Sequence, residues 1–290
     1  MTMSTPLFLE DWWMDAVCVG KHWERIAGMP CLLRERAGWR YILMPQQTQI
    51  AGATCPPDES KQRAQQIADA LRERRLDYYF QHFPIGSPLP EQLAELGFTI
   101  RPHTTYRIED LSDLGRVEHG FSENKRRQIR KAAALEVVTL SPDEFYSFHA
   151  DCLRRQGKTI SYSHAFFHSL DAACNAHNAR HILALQDPAG ELHAAAYLVY
   201  DEQTCYYLIP CYAPQFGSSG AGARIVAESI RFAAKHSCVF DFEGSMIPGV
   251  ANHYAQFGST PAFFYEVEKV YNPLFVPVLR AYKWLTRKQR

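Results

Sequence analysis

Asp241 and Glu243 stand two apart in the hydrophobic run Val239-Phe240-Asp241-Phe242-Glu243-Gly244-Ser245. If that run is a strand, alternation puts Phe240 and Phe242 on one face and the two carboxylates on the other. Carboxylates on a mostly buried strand are costly unless they pair with a base or take part in chemistry. One shielded from water has its pKa raised and can act as a general base. The alternative is that one or both pair with a basic side chain and serve only to tie structure together.

A second set follows the run Cys205–Ile209. It is Pro214-Gln215-Phe216-Gly217-Ser218-Ser219-Gly220-Ala221-Gly222-Ala223, with a helix expected to begin near Arg224. Small residues before a helix let an anion approach the backbone, and free N–H groups with the positive end of the helix dipole would hold it. The loop is neither a P-loop nor a dinucleotide fingerprint, since both spacings are absent. It is otherwise a flexible loop with a Ser cap.

A third set is Lys125, Arg126, Arg127, Arg130 and Lys131, where Arg126 with Arg130 and Arg127 with Lys131 share helix faces. This is either a phosphate clamp or a solvated helix face. Two histidine pairs, His164 with His168 and His177 with His181, have helical i, i+4 spacing. No acidic third ligand accompanies either in the sequence, so no metal is expected. Tyr206, Tyr207 and Tyr212 make an aromatic strand, read as core packing or as the lining of an acceptor groove.

The elements that must position these groups repeat. At an offset of about 160 residues, Gln66–Arg72 parallels Ile225–Arg231, and Tyr79-Phe80 parallels Val239-Phe240. Leu96-Gly97 likewise parallels Phe257-Gly258, and the stretch from Tyr106 to Glu109 parallels that from Tyr265 to Glu268. Each half reads helix, strand, short helix ending at Gly, strand. Upstream lie strand pairs, Trp23–Ala27 with Cys31–Met44 broken at Ala37-Gly38, and His181–Gln186 with Leu192–Tyr200 across Asp187-Pro188-Ala189-Gly190. A third strand follows at Thr204–Tyr212. The pattern predicts an α/β (α+β mixed-sheet) fold in two lobes. The first half has no glycine in the segment that matches the small-residue loop, Cys55–Lys61. It carries Asp58 and Glu59 there, which would repel an anion.

Lys plus Arg and Asp plus Glu number 31 each, so net charge argues for no nucleic acid or membrane partner and any such contact needs a local patch. The eight cysteines form no C-x-x-C pair and read as reduced thiols of a cytoplasmic protein. The N-terminus has no signal-peptide pattern. The apolar and basic positions of Asn272–Arg290 suit a helix docked on the protein or resting on an anionic membrane surface.

From the loop 217–223, through Asp241–Ser245, to Tyr254-Ala255-Gln256-Phe257-Gly258, the chain resembles the GNAT acyltransferase core. The tandem lobes and the stretch Ser122–Ala132 resemble its FemAB-like branch, which includes bacterial aminoacyl-tRNA-dependent transferases of cell-wall synthesis. The resemblance implies a degenerate N-terminal lobe over residues 1–118, a catalytic lobe over 119–270 and a C-terminal helix over 271–290. It implies acyl-coenzyme A, acetyl-coenzyme A first, as donor, with Gly217, Ser218, Ser219, Gly220, Ala221, Gly222 and Ala223 on its phosphates. Glu243, with Asp241 near it, would take the proton from an attacking amine, and Tyr254 would protonate the leaving group. Lys125, Arg126, Arg130 and Tyr207 would bind the acceptor, a small molecule or cell-wall precursor. Aminoacyl-tRNA is the alternative donor, and a non-catalytic binding module is the reading from another class. DNA is not an expected partner. The loop from Phe216 to Gly222 fits the usual family form, Gln/Arg-x-x-Gly-x-Gly/Ala, only loosely, and the strand His193–Tyr200 has no carboxylate where many members carry their base.

Overall fold

The computed structural model of the protein describes residues 5–244 and 248–287. In chain order its elements are α1 (Asp11–Val17), β1 (His22–Ile26), β2 (Met29–Arg36), β3 (Trp39–Leu43), α2 (Ser60–Glu73), β4 (Tyr78–Phe83), α3 (Leu89–Glu95) and β5 (Thr99–Ile108). Then follow α4 (Leu114–His119), α5 (Glu123–Lys131), β6 (Glu136–Thr139), α6 (Pro142–Arg155), α7 (His164–Ala176), β7 (Arg180–Gln186), β8 (Leu192–Tyr200) and β9 (Thr204–Tyr212). The chain closes with α8 (Ala221–Ala233), β10 (Val239–Asp241), α9 (Pro248–Ala255), β11 (Thr260–Val270) and α10 (Val276–Arg287). No described helix is long and apolar enough to cross a membrane.

Two compact units result. The first comprises Leu7–His103 and Phe263–Arg290, the second Met1–Pro6 and Thr104–Ala262. In the first, β1, β2 and β3 pair antiparallel, β4 lies parallel to β3 after the α2 crossover, and β11 pairs antiparallel with β4. In the second, β6 to β9 pair antiparallel in order, β10 lies parallel to β9 after the α8 crossover, and β5 pairs antiparallel with β10. The parallel pairs need the helical crossovers, and the sequence repeat falls on those crossovers.

Each half gives up its last strand. β5 follows α3 in sequence, yet Arg107 and Ile108 pair with β10. β11 follows α9, yet Tyr265–Val270 pair with β4. The divisions expected at 118/119 and 270/271 therefore differ from the contact-defined ones, because a strand goes where its ladder is satisfied. Each unit has its own core. One is built on Ile67, Leu71, Tyr79, Phe83, Leu93 and Val267, the other on Leu198, Ile225, Ile230, Phe240, Phe242 and Phe257. Near the C-terminus, Phe275 is buried among the rings of Trp39, Tyr41 and Tyr78, with centroids 5.3, 5.5 and 5.7 Å away. This docks the start of α10 on the first unit, while Leu274 and Val278 stay exposed.

Candidate active site

The parallel pairing of β9 with β10 is short, running only from Val239 opposite Thr204 to Asp241 opposite Tyr206. β9 continues to Tyr212 while the other strand stops. The strand expected to reach Ser245 thus ends at Asp241, and Ser245 lies outside the described residues. Phe242 donates its N–H to the Tyr106 carbonyl at 2.9 Å. Glu243 (φ 63°) and Gly244 (φ 75°) then take the left-handed conformation and turn the chain away. A Cβ on Gly244 would sit 2.5 Å from the Thr104 carbonyl oxygen, so only glycine fits.

A left-handed glutamate carries a strain of about 1–2 kcal/mol. Asp241 holds it in place. Its Oδ1 accepts the Glu243 N–H at 2.8 Å and the Thr105 hydroxyl at 2.5 Å, and its Oδ2 faces Arg107 Nε at 3.5 Å. Asp241 is therefore buried and engaged through both carboxylate oxygens. Glu243 is half-buried as a residue, but its Oε1 is closed off from solvent and has no hydrogen-bond partner among the described residues. Burial first, and the Asp241 charge second, push the Glu243 carboxyl well above the usual carboxylate range.

Tyr254 of α9 packs its ring 4.5 Å from that of Phe242 and is buried. Burial and then the Glu243 charge raise its phenol to about 12, so the two groups are electrostatic neighbours. Tyr207 is buried in the core, and its hydroxyl meets that of Tyr212 at 2.9 Å. Its ring also packs 6.3 Å from that of Phe242.

The small-residue loop lies beside the basic helix. The helix begins at Ala221, earlier than the expected Arg224, with Gly220 (φ 84°) as its left-handed cap. A Cβ on Gly220 would collide with the Gln128 carbonyl of α5, and one on Gly222 would touch the Tyr212 ring at 3.5 Å. Packing thus requires the glycine at 220, whereas at 222 a side-chain carbon would make only an ordinary contact. The Ser219 hydroxyl accepts the Ala221 N–H at 3.2 Å.

Loop and helix together form a cleft of about 460 Å³ lined by Lys125, Arg127, Gln128, Lys131, Gly217, Ser218, Gly220, Gly222, Ala223 and His253. No carboxylate lines it. A pocket of about 600 Å³ in the first unit, between α2 and α3, is lined instead by Asp58, Asp69 and Glu95 with Lys61. The sign of the lining charge thus separates the two halves.

The face of α5 that meets the cleft is Arg127 and Lys131, with Lys125 beneath. Arg126 and Arg130 are not on it. Arg126 donates to the His119 and Phe121 carbonyls at 2.8 and 2.7 Å and so closes the end of α4, and Arg130 is exposed. Lys125 is 4 % exposed, with Nζ 2.7 Å from His253 Nδ1 and 5.2 Å above the Phe257 ring. Burial lowers its pKa to about 8. Burial and the Lys125 charge take His253 down to about 4, so its imidazole is neutral at pH 7. Nδ1 accepts from the ammonium, which leaves the proton on Nε2, a buried donor with no partner among the described residues. His253 is the one cleft residue that no motif announces. It precedes Tyr254, and an unassigned histidine beside a suspected acid is the only signal that could have found it.

Residues 120–254 match a family model described as "Acetyltransferase (GNAT) domain". The chain is similar in structure to FemX, with a TM-score of 0.72 and 12 % identity over 95 % of both chains. It is also similar to L-PGS from Bacillus licheniformis, with a TM-score of 0.57 and 12 % identity over 99 % of this chain and 98 % of that one. A tandem GNAT protein from the clavulanic acid biosynthesis pathway gives a TM-score of 0.51 and 12 % identity over 83 % of this chain and 78 % of that one. No curated protein matches the chain by sequence. The segment 120–254, a little under half of the chain, is thus a GNAT domain, and the chain has the mixed α/β fold of FemX and the tandem GNAT proteins.

Proposed function

We propose that the protein is an acyltransferase that passes an acyl group from a phosphate-bearing donor, acyl-coenzyme A, to an amine. The observation that carries this is Glu243, whose carboxyl oxygen Oε1 is closed off from solvent and has no hydrogen-bond partner among the described residues, held in a left-handed turn where β9 and β10 part, with Tyr254 as its electrostatic neighbour. In a site of low dielectric, an ammonium and a carboxylate are less favoured than a neutral amine and a carboxylic acid. An acceptor ammonium that meets Glu243 in its carboxylate form therefore gives up its proton there and becomes a nucleophile, and because burial raises the Glu243 pKa that form, and turnover with it, grows as pH rises. The amine nitrogen attacks the acyl carbon, the C–N bond forms and the bond to sulfur breaks, the second proton of the nitrogen passes to the leaving thiolate, and the proton first taken by Glu243 returns to solvent when the products leave. Direct transfer between two bound substrates needs no protein nucleophile, and no nucleophile-base pair is evident here.

Tyr254 fits this with a change of role. A phenol raised to about 12 is a poor acid toward a thiolate, whose conjugate thiol titrates near about 8.5. It stabilises the leaving sulfur by donating a hydrogen bond and keeps its own proton. Ser218, Ser219 and the start of α8, with Arg127 and Lys131, take the phosphates of the donor, so the basic helix serves the donor side and not the acceptor side.

A second reading has support from the same phenol. An alkoxide leaving group, as in the ribose ester of an aminoacyl-tRNA, is basic enough to be protonated by Tyr254. The basic cleft also suits a nucleic-acid 3′ end, and FemX and L-PGS share the fold.

The test is Glu243→Gln, assayed for acyl transfer from acetyl-coenzyme A to a panel of primary amines. Turnover should fall by about 10²–10⁴-fold, the worth of general-base catalysis, with acetyl-coenzyme A affinity unchanged. Full turnover in the variant would remove Glu243 from the mechanism.

A further inference from the structure

The geometry points to a divalent transition-metal site formed by Asp143, His164 and His168, on the opening turns of α6 and α7 and separate from the acyl-transfer cleft. His164 Nε2 and His168 Nε2 lie 2.9 and 2.7 Å from one oxygen, Asp143 Oδ1, and 3.0 Å from each other. The three donor atoms converge as a near-equilateral triangle.

One face of this site, the His164 and His168 pair at i, i+4 on one side of α7, is legible in the spacing. The fold supplies the carboxylate that the sequence lacked. Its placement follows from the helix caps. Ser141 closes a capping box with Glu144 at the start of α6, and the Ser163 hydroxyl accepts from Phe166 N–H at the start of α7. The caps fix where each helix begins, and so bring Asp143 and His164 to the same corner, with His168 one turn further on. The Tyr146 ring packs edge-on at 4.8 Å against His164 and limits where that imidazole can turn.

Hydrogen bonding alone does not satisfy this triangle. A neutral imidazole carries one N–H. If both Nε2 atoms are protonated to donate to Asp143, two N–H groups face each other at 3.0 Å. If only one is protonated, the other nitrogen presents a lone pair to a carboxylate oxygen. A cation at the centre of the triangle, displaced to its open side, satisfies all three lone pairs together. Ligand bonds of about 2.0–2.2 Å on adjacent positions of a tetrahedral or octahedral ion put donor atoms roughly 3.0–3.4 Å apart, close to the separations here. Two imidazoles with one carboxylate suit zinc, cobalt, nickel or iron(II) and not calcium or magnesium. Three protein donors leave positions for water or an external ligand. The half-exposed setting, with the side chains of His164, His168 and Asp143 at 56, 40 and 70 % exposure, leaves the ion open to solvent on one side. Such an ion would cross-link α6 to α7 without touching the donor cleft.

The test is a Co²⁺ titration of the full, tag-free chain after chelator treatment, followed by calorimetry and visible absorption, with Zn²⁺ as competitor. One Co²⁺ per chain, with d–d bands that Zn²⁺ abolishes, is expected. His164→Asn, His168→Asn and Asp143→Asn should each weaken binding at least tenfold, and Zn²⁺ should raise the melting temperature of the parent protein but not of the variants. The three side chains are exposed, so circular dichroism will show whether the variants keep the fold. A parent protein that binds no Co²⁺ below millimolar concentration, or folded variants that bind as tightly as the parent, would overturn the site.

Discussion

Glu243 combines a strained backbone with a carboxyl oxygen, Oε1, that is shut off from solvent and has no partner among the described residues, and both are costs that a purely structural residue would shed. A glutamine or asparagine would satisfy the left-handed turn without a titrating group. The Asp241 brace shows how the cost is contained, since the same carboxylate that holds the Glu243 N–H also raises its neighbour's pKa. This coupling has a consequence for stability. A carboxyl whose folded pKa lies above its unfolded value is protonated in the native state while the unfolded chain has already released its proton. Stability therefore falls as pH climbs from about 4.5 toward the raised folded value. Glu243→Gln removes that loss. Melting temperatures of parent and variant should coincide near pH 4.5, and the variant should gain as pH rises above it toward the raised folded value. A difference that stays constant with pH would show that Glu243 is not held protonated by its surroundings. The residue scale also shows what sequence could reach. Alternation set Phe240 and Phe242 on one face and the carboxylates of Asp241 and Glu243 on the other, but it could not foresee that the strand stops at Asp241. The stop depends on Thr104 and Thr105, which are far away in the chain.

At the level of elements, the junction of α5 with α8 is what makes the cleft. Gly220 lets the α5 carbonyl of Gln128 approach the loop, and Lys125 is buried under His253 and Phe257 at the same junction. The loop was legible as a small-residue stretch before a helix. Its reason was only half legible, because close approach of a ligand and close approach of a neighbouring helix demand the same residues. Gly220→Ala should cost about 1–2 kcal/mol for the left-handed cap alone, with more from displacing α5. Gly249→Ala in α9, where an added Cβ meets nothing within 4 Å, should cost less than about 0.5 kcal/mol. Urea unfolding of both variants checks this, and equal midpoints would mean that the α5–α8 contact does not constrain the loop. Of the five basic residues on α5, spacing alone could not select the pair that faces the cleft. Arg126 was diverted to carbonyls at the end of α4, a capping demand that a charge pattern does not reveal.

For the whole molecule, the internal repeat was the most reliable signal, because it survives in the order of helix, strand, Gly-terminated helix and strand even where side chains have diverged. The exchange of last strands was not legible. β5 and β11 match each other in sequence, and nothing in a strand's own pattern says which β4-like partner it will take. The two halves nonetheless differ in the property that decides binding. The α5–α8 cleft is basic without a carboxylate, whereas the pocket between α2 and α3 carries three. One donor per chain is therefore the expected stoichiometry, despite the duplication.

That expectation gives the measurement closest to the central claim, calorimetric titration of acetyl-coenzyme A into the parent protein and into an Arg127→Glu, Lys131→Glu double variant, both side chains being on the surface of α5. Binding of one acetyl-coenzyme A per chain, weakened at least tenfold in the variant and falling with added salt, is the predicted result. Two equivalents per chain, no binding, or binding that ignores the charge reversal would contradict the assignment of this cleft to an acyl-coenzyme A donor, and the absence of binding would turn the account toward the aminoacyl-tRNA end.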